Sequence, residues 1–300
     1  PDDFGPHPQH RIEWWYLTAN LRTEEGEPLG LQWTQFRQAI TPRPADAEPP
    51  EAADWPLEAA WMAHAAVSFD TRHYFAEKLA RGDVGHAGAQ AQPLAVWLDD
   101  WQLEATSESE SWRLQVAADG WSYDLSLSIN GKPVAHGDNG FSAKSADGEG
   151  SMYFSLVDLH IEGTVAGKGW FDREWSSQFL KSGQQGWDWF ALHLESGDKL
   201  MAFQLREEGG GFRSGTWIPE DGEPVALQPS QLRIRPEEPD ARGFPRLWRL
   251  EVPDYGVSLE ISAPPGNYLN DGLYPYWESP VTVAGSHSGE GYMELTGYGD

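Results

Sequence analysis

The 300-residue chain contains no cysteine, which excludes disulfides, thiolate metal sites and cysteine nucleophiles and leaves the compartment open. Basic residues are few: 21 Lys and Arg stand against 47 Asp and Glu, for a formal net charge of −26. A field of that sign repels phosphate backbones and anionic headgroups, so neither nucleic acid nor a membrane surface is an expected partner. No apolar run approaches the ~18 residues of a membrane span. Phosphate-cradling loops are missing, as is a Gly-x-Ser-x-Gly turn, which argues against nucleotide and serine-hydrolase chemistry. His7 and His10 are close, yet no acid stands near them at ligand spacing on a regular element. Neither a metal nor another cofactor is therefore expected. Helical signal is scarce, with Thr71 to Arg81 reading as one short helix ended by Gly82.

What the chain has instead is alternation. Leu114 to Ala118, Tyr123 to Ile129, Leu200 to Leu205, Trp248 to Val252 and Val257 to Ile261 each read as strands of period two. The 32 Gly and 22 Pro punctuate them at short intervals, as an all-β barrel or sandwich requires. The Pro/Ala/Glu-rich stretch Thr41 to Pro56 reads as a surface excursion. With 16 Trp and 13% aromatics, much of the core, or of a ligand cavity within it, has to be aromatic. A start at Pro1 fits a precursor trimmed of a signal or lipid-anchor segment. Together with the acidic composition, this gives an extracytoplasmic expectation, periplasmic or lipid-anchored, with a cytoplasmic setting left open.

The chain also echoes itself. Trp14-Trp15-Tyr16 leads through a turn at Glu25-Gly26 to Gln35-Phe36-Arg37. Trp187-Asp188-Trp189 leads through Ser196-Gly197 to Gln204-Leu205-Arg206. Thr164-Val165-Ala166-Gly167 before Gly169-Trp170-Phe171-Asp172 is echoed by Thr282-Val283-Ala284-Gly285 before Gly291-Tyr292-Met293-Glu294. Two related β units follow, 1–180 and 181–300, each expected to close as a barrel and so remove its sheet edges.

The most informative stretch is Gly169 to Phe190, where four Trp and three acids fall in two runs joined by a Gly/Ser/Gln-rich turn. An acid held among indoles tends to keep its proton, because burial disfavours the charged form. Such a cluster suits a site that protonates or cradles an apolar molecule. It also suits a plain hydrophobic core edged by ion pairs. Trp platforms with paired acids describe sugar-processing enzymes and carbohydrate-binding modules as well.

Gly5-Pro6-His7-Pro8, Glu13-Trp14-Trp15-Tyr16, Phe36-Arg37, Asp172-Arg173-Glu174-Trp175, Gly186-Trp187-Asp188-Trp189-Phe190 and Gly291-Tyr292-x-Glu294-Leu295-Thr296-Gly297-Tyr298 together resemble the AttH / carotenoid 1,2-hydratase family. The likeness runs nearly end to end. It implies two lipocalin-like barrels in tandem and apolar, isoprenoid- or lipid-like ligands. Related members are hydro-lyases that add water to an isoprenoid double bond or a phenolic prenyl group, and distant fungal relatives guide cycloadditions. Bacterial AttH-like members, often exported, are associated with ABC-transporter operons. The resemblance therefore implies either a hydratase or isomerase, or a non-catalytic carrier working with a transporter component.

Hydrating a trisubstituted alkene needs a neutral carboxylic acid, an aromatic wall for the cation and a water to capture it. The catalytic candidates are Asp172, Glu174 and Asp188. Trp15, His64, Tyr153, Trp170, Trp175, Trp187 and Trp189 are the candidates for lining the ligand site. Alternation puts Trp170, Asp172 and Glu174 on one face, and Phe171, Arg173 and Trp175 on the other. If the acid face points into the first barrel, Arg173 lies at the surface. If it points away, Arg173 is buried and needs Glu13 or Asp188 as partner. Arg37, Arg173 and Arg206 are read as structural ion-pair residues. His64 is a core histidine or a catalytic one, and Tyr153 lines the cavity and can donate to a ligand oxygen.

Overall fold

The computed structural model describes residues 2–40, 59–82, 85–108, 110–177, 184–208 and 210–299. The stretch Thr41 to Pro56, and most of the turn linking the two Trp-acid runs, lie outside the described residues. The fold is all-β: one sheet curls into a nearly closed barrel and a second into a half-barrel, as in tandem lipocalin-like barrels. No helix among the described residues is long and apolar enough to cross a membrane.

The first sheet is built from β1 (Ile12–Thr23), β2 (Pro28–Ala39), β3 (Ala59–Phe69), β4 (Arg72–Arg81), β5 (Ala87–Gln90), β6 (Ala95–Leu98) and β7 (Trp101–Ala105). It continues through β8 (Ser111–Ala118), β9 (Trp121–Ile129), β10 (Val134–Ala135), β11 (Phe141–Ala143), β12 (Gly150–Glu162) and β13 (Val165–Ser176). Its order is β4-β3-β2-β1-β13-β12-β9-β8-β7-β6-β5, with β10 and β11 paired to β12. The second sheet contains β14 (Gln184–Leu194), β15 (Lys199–Glu207), β16 (Phe212–Ile218), β17 (Val225–Leu227) and β18 (Arg233–Pro239). It is completed by β19 (Pro245–Val252), β20 (Val257–Ser262), β21 (Leu269–Asn270), β22 (Tyr276–Gly285) and β23 (Gly289–Leu295). The order here is β17-β16-β15-β14-β23-β22-β20-β19-β18.

The two echoing hairpins occupy matching places. β1 lies between β2 and the last strand of its sheet, β13, and β14 lies between β15 and the last strand of its sheet, β23. Gly169-Trp170-Phe171-Asp172 and Gly291-Tyr292-Met293-Glu294 fall on those two last strands. The Thr-Val-Ala-Gly echo does not superimpose in the same way. Its first copy leads into β13, whereas Thr282–Gly285 ends β22, one strand earlier.

The strands expected from alternation all form, but the expected helix over Thr71 to Arg81 does not. Asp70 and Thr71 both have positive φ (47° and 62°), the geometry of a tight hairpin turn, and the chain folds back as β4 against β3. Glu77, Lys78 and Leu79 are good helix formers. Ten paired residues, with Ala76 and Ala80 packed on the core, outweigh that preference.

Three apolar layers result. Trp15, Leu17, Trp33, Trp61, Trp101 and Phe171 fill the first barrel, and Phe190, Leu192, Trp248 and Trp277 fill the second sheet's concave side. Between the sheets lies a third layer that includes Tyr16, Tyr153, Trp170, Trp189, Phe203 and Tyr292. The central strands are consequently covered on both faces.

The sheets approach closely at Gly30. A Cβ there would sit 2.6 Å from the Tyr292 hydroxyl and 2.9 Å from Pro280 Cγ, both on the opposite sheet. Gly30→Val should overpack the seam and cost about 1–3 kcal/mol in chemical denaturation. Unaltered stability would mean that the sheets are not packed this tightly.

Candidate functional site

Every residue from Gly169 to Ser176 is buried, so neither face of β13 reaches solvent over that stretch. Arg173 points with Phe171 and Trp15 into the end of the first barrel. The expectation of a surface Arg173 is replaced by its alternative, a buried arginine with Glu13 as partner. Glu13 accepts from Arg173 (2.5 Å) and Arg37 (2.9 Å), and the backbone N–H of His7 donates to both of its oxygens. Burial alone would raise the Glu13 pKa. The His7 side-chain hydrogen bond and the Arg173 and Arg37 charges more than offset it and hold the carboxyl at about 2. Arg173 also sits 4.0 Å over the Trp15 ring, and Trp175 stacks on His7 at 3.9 Å. Trp15, Trp175, Arg37 and Arg173 thus belong to the barrel end.

Asp188 and Arg206 face the second sheet's concave side. They pair at 3.3 Å, and Gln204 donates to the same carboxylate oxygen. Burial pushes Asp188 up to about 6, against the pull of Arg206. Arg37 does not meet Asp188, since Glu13 has taken it.

The acid-bearing face of β13 turns toward the second sheet. Cross-strand register aligns a row of polar residues there, each opposite the next: Glu77 on β4, His64 on β3, Thr34 on β2, Tyr16 on β1, Asp172 on β13 and Ser155 on β12. Asp172 accepts from Tyr153 (2.6 Å), Trp170 Nε1 (2.6 Å) and Ser155. His136 Nε2 lies 2.7 Å from Ser155 Oγ, and Trp189 Nε1 donates to the Tyr153 hydroxyl at 3.1 Å. No cation faces Asp172 among the described residues, and burial lifts its carboxyl to about 7 although its hydrogen bonds pull the other way. Glu174 differs. It accepts from Ser151 and pairs with Lys144 at 3.1 Å, and that ammonium also lies 4.2 Å over the Phe203 ring.

The second sheet contributes two acids that lay outside the sequence-based catalytic candidates. Glu278 and Glu294 stand opposite each other on β22 and β23. Glu294 accepts from Trp187 Nε1, and burial, aided by Asp172 and Glu174, raises it to about 7. Glu278 is fully buried and accepts from the Tyr16 hydroxyl through one oxygen, while its Oε2 has no partner among the described residues. Burial and the neighbouring Glu294 push its carboxyl well above the ordinary range, which favours the protonated form. Tyr16 meets Trp189 edge-to-face at 5.2 Å, which closes an aromatic wall beside these acids. Glu294 was visible in the Gly-aromatic-x-acid echo. Glu278, between Trp277 and Ser279, carried no local signal.

Of the sequence-predicted residues, Asp172, Glu174, Tyr153, Trp170, Trp187, Trp189 and His64 come together along this seam. His64 is fully buried, with Nε2 at 2.8 Å from Glu77 and Nδ1 at 2.8 Å from the Tyr276 hydroxyl. An opening of about 230 Å³ lies where Phe4, Met152, Tyr153, Phe154 and Trp175 meet, so Tyr153 reaches both it and Asp172. A larger concavity, about 310 Å³, is walled by Arg213, Arg233, Ile234 and Arg235 and involves none of the buried acids.

Asp172 sets a pH signature. Its folded pKa of about 7 exceeds its unfolded 3.8, so between these values the folded chain holds a proton that the unfolded chain has lost. Its contribution to stability is fully present below about 4 and is lost as pH rises to about 7. Asp172→Asn should therefore flatten the stability–pH curve across that window in denaturant titrations. An identical slope in parent and variant would show that Asp172 is ionised throughout.

The AttH-like family model matches residues 1–298. Among solved structures, a Nitrosomonas europaea protein described as an AttH superimposes with a TM-score of 0.84 at 30% identity, covering 99% of this chain and 96% of that one. Kievitone hydratase from Nectria haematococca gives a TM-score of 0.71 at 16% identity, covering 98% and 91%. CghA, solved with Sch210972, gives 0.57 at 14% identity, covering 96% and 88%; at these last two identities the likeness is one of fold. No curated protein matches the chain at the sequence level. A whole-length family match, and a structural relative of the same description covered almost end to end, make this chain a member of the AttH-like family.

Proposed function

We propose that the protein binds an apolar, isoprenoid- or lipid-like molecule against the aromatic wall of the seam and adds water to a double bond, with Glu278 as the proton donor. The observation that carries this reading is the state of Glu278: buried, without a cation, anchored by Tyr16 through one oxygen and unpartnered at the other. A carboxyl buried for structure alone would be expected to pair with an arginine, as Glu13 and Asp188 do. A neutral acid with a free oxygen can give its proton to the less substituted alkene carbon. The cation left behind is stabilised by the π-faces of Tyr16 and Trp189. Asp172 and Glu294, both raised to about 7, carry less competing negative charge at neutral pH than ordinary carboxylates would. Similar structures include a hydratase and a protein solved with Sch210972, which supports ligand uptake by this fold.

The test is a panel of prenylated phenols and acyclic terpenes incubated with the protein and read by mass spectrometry for the gain of one water. Glu278→Gln keeps the shape but removes the transferable proton. It should lose on the order of 10²-fold or more in rate while retaining its fold and its ligand. Turnover at the parental rate in Glu278→Gln would remove Glu278 from the chemistry. Binding without conversion by the parent across the panel would leave a non-catalytic carrier for a transporter system.

A further inference from the structure

The row of polar residues does not stop at the seam. It runs outward across β2 and β3 to Glu77 on β4, the edge strand of the first sheet, whose side chain is 20% exposed. With Glu77 as a carboxylate, which can only accept, each link takes a direction. Glu77 accepts from the Leu273 backbone N–H at 3.0 Å and from His64 Nε2–H at 2.8 Å. His64 Nδ1 is then the acceptor for the Tyr276 hydroxyl, and the Tyr276 oxygen in turn accepts from Gln32 Nε2 at 3.2 Å. This is the hydroxyl–imidazole–carboxylate order in which a histidine takes a proton from one side while releasing its own to the other. Glu77 and Tyr276 are the titratable groups facing His64. Thr34 stands opposite it in register, and Phe36 and Phe75 pack edge-on against the ring. Burial keeps His64 below its ordinary pKa, in the neutral form that such a role requires.

At its inner end this chain arrives beside the proposed proton donor. Tyr276 and Glu278 project from one face of β22 two residues apart, a spacing of about 7 Å along the strand.

Resting on the hydratase reading above, we infer that Tyr276, His64 and Glu77 form a proton relay between the sealed seam and solvent. As Glu278 protonates the alkene, the water that captures the cation loses a proton to Tyr276 Oη. The Tyr276 proton passes to His64 Nδ1, the Nε2 proton passes to the Glu77 carboxylate, and Glu77 releases a proton to bulk water. Run in reverse, the same path, completed by a second water that carries the proton from Tyr276 Oη to the Glu278 carboxylate, returns one proton to Glu278, so a turnover adds one water to the alkene and consumes no net proton. Tyr276 touches the reacting water and is the catalytic member; His64 and Glu77 act through it as positioning and relay residues.

The relay can be tested without a substrate. A protonated buried carboxyl gives a separate infrared C=O band, identified as that of Glu278 by its loss in Glu278→Gln. The rate at which this band shifts after transfer into D₂O reports proton access to the seam. Glu77→Gln, nearly isosteric and partly exposed, and Tyr276→Phe should each slow that shift by about tenfold or more at unchanged melting temperature, the scale expected when a positioned proton-transfer partner is lost. Parental exchange in both variants would overturn the relay and leave the Glu278 assignment standing. Absence of any Glu278-dependent band in the parent would overturn the neutral-acid reading, and the relay with it.

Discussion

Burial of the central strands on both faces is the constraint from which the rest of the structure follows. A charge in the covered stretches of β1, β13, β14 and β23 has no solvent face to turn to, so it must be neutralised by a partner or by a proton. The barrel ends take the first course. Glu13 binds two arginines and Asp188 binds one, and together with the strand termini they lock β1 to β2 and β13, and β14 to β15. The seam takes the second course. Asp172, Glu278 and Glu294 meet hydroxyls and indole N–H groups there and no cation among the described residues.

The same separation explains how one short sequence can serve both structure and chemistry. Along Phe171-Asp172-Arg173-Glu174, neighbouring residues alternate between the barrel interior, where Arg173 is ion-paired, and the seam, where Asp172 meets hydroxyls and an indole and Glu174 meets Lys144. A pair of adjacent residues in sequence, Asp172 and Arg173, never meets as a pair in space. Arg173 is spent on Glu13, which keeps its charge away from Asp172.

The fold was legible in the sequence because alternation, glycine-rich turns and the repeated hairpins are local signals. The helix expected over Thr71 to Arg81 failed because pairing across a two-residue turn overrode the preference of Glu77-Lys78-Leu79. The cluster around Gly169 to Phe190 contributes residues to the proposed site, but its orientation was not readable. A strand with one wet face reveals its interior by alternation, whereas β13 is covered on both sides and offers no polar face for comparison. Glu278 escaped for a different reason. Its significance comes from Tyr16, 262 positions earlier in the chain, and from its cross-strand neighbour Glu294. No window of sequence contains that arrangement.

The matching places of the two hairpins carry a consequence for symmetry. β1 packs against β23, and its counterpart β14 meets β13 through His193 and Trp170. β2 packs against β22, and its counterpart β15 meets β12 through Lys199 and Asp158. Each contact thus recurs with the roles of the halves exchanged, the connectivity of an isologous dimer interface carried within one chain. Under that pseudo-twofold relation Asp172 and Glu294 are mates, and both are held at about 7. The departures from symmetry are then as telling as the symmetry itself. The polar row leading out to Glu77 belongs to the first sheet alone, whereas Glu278, with one oxygen unpartnered among the described residues, belongs to the second.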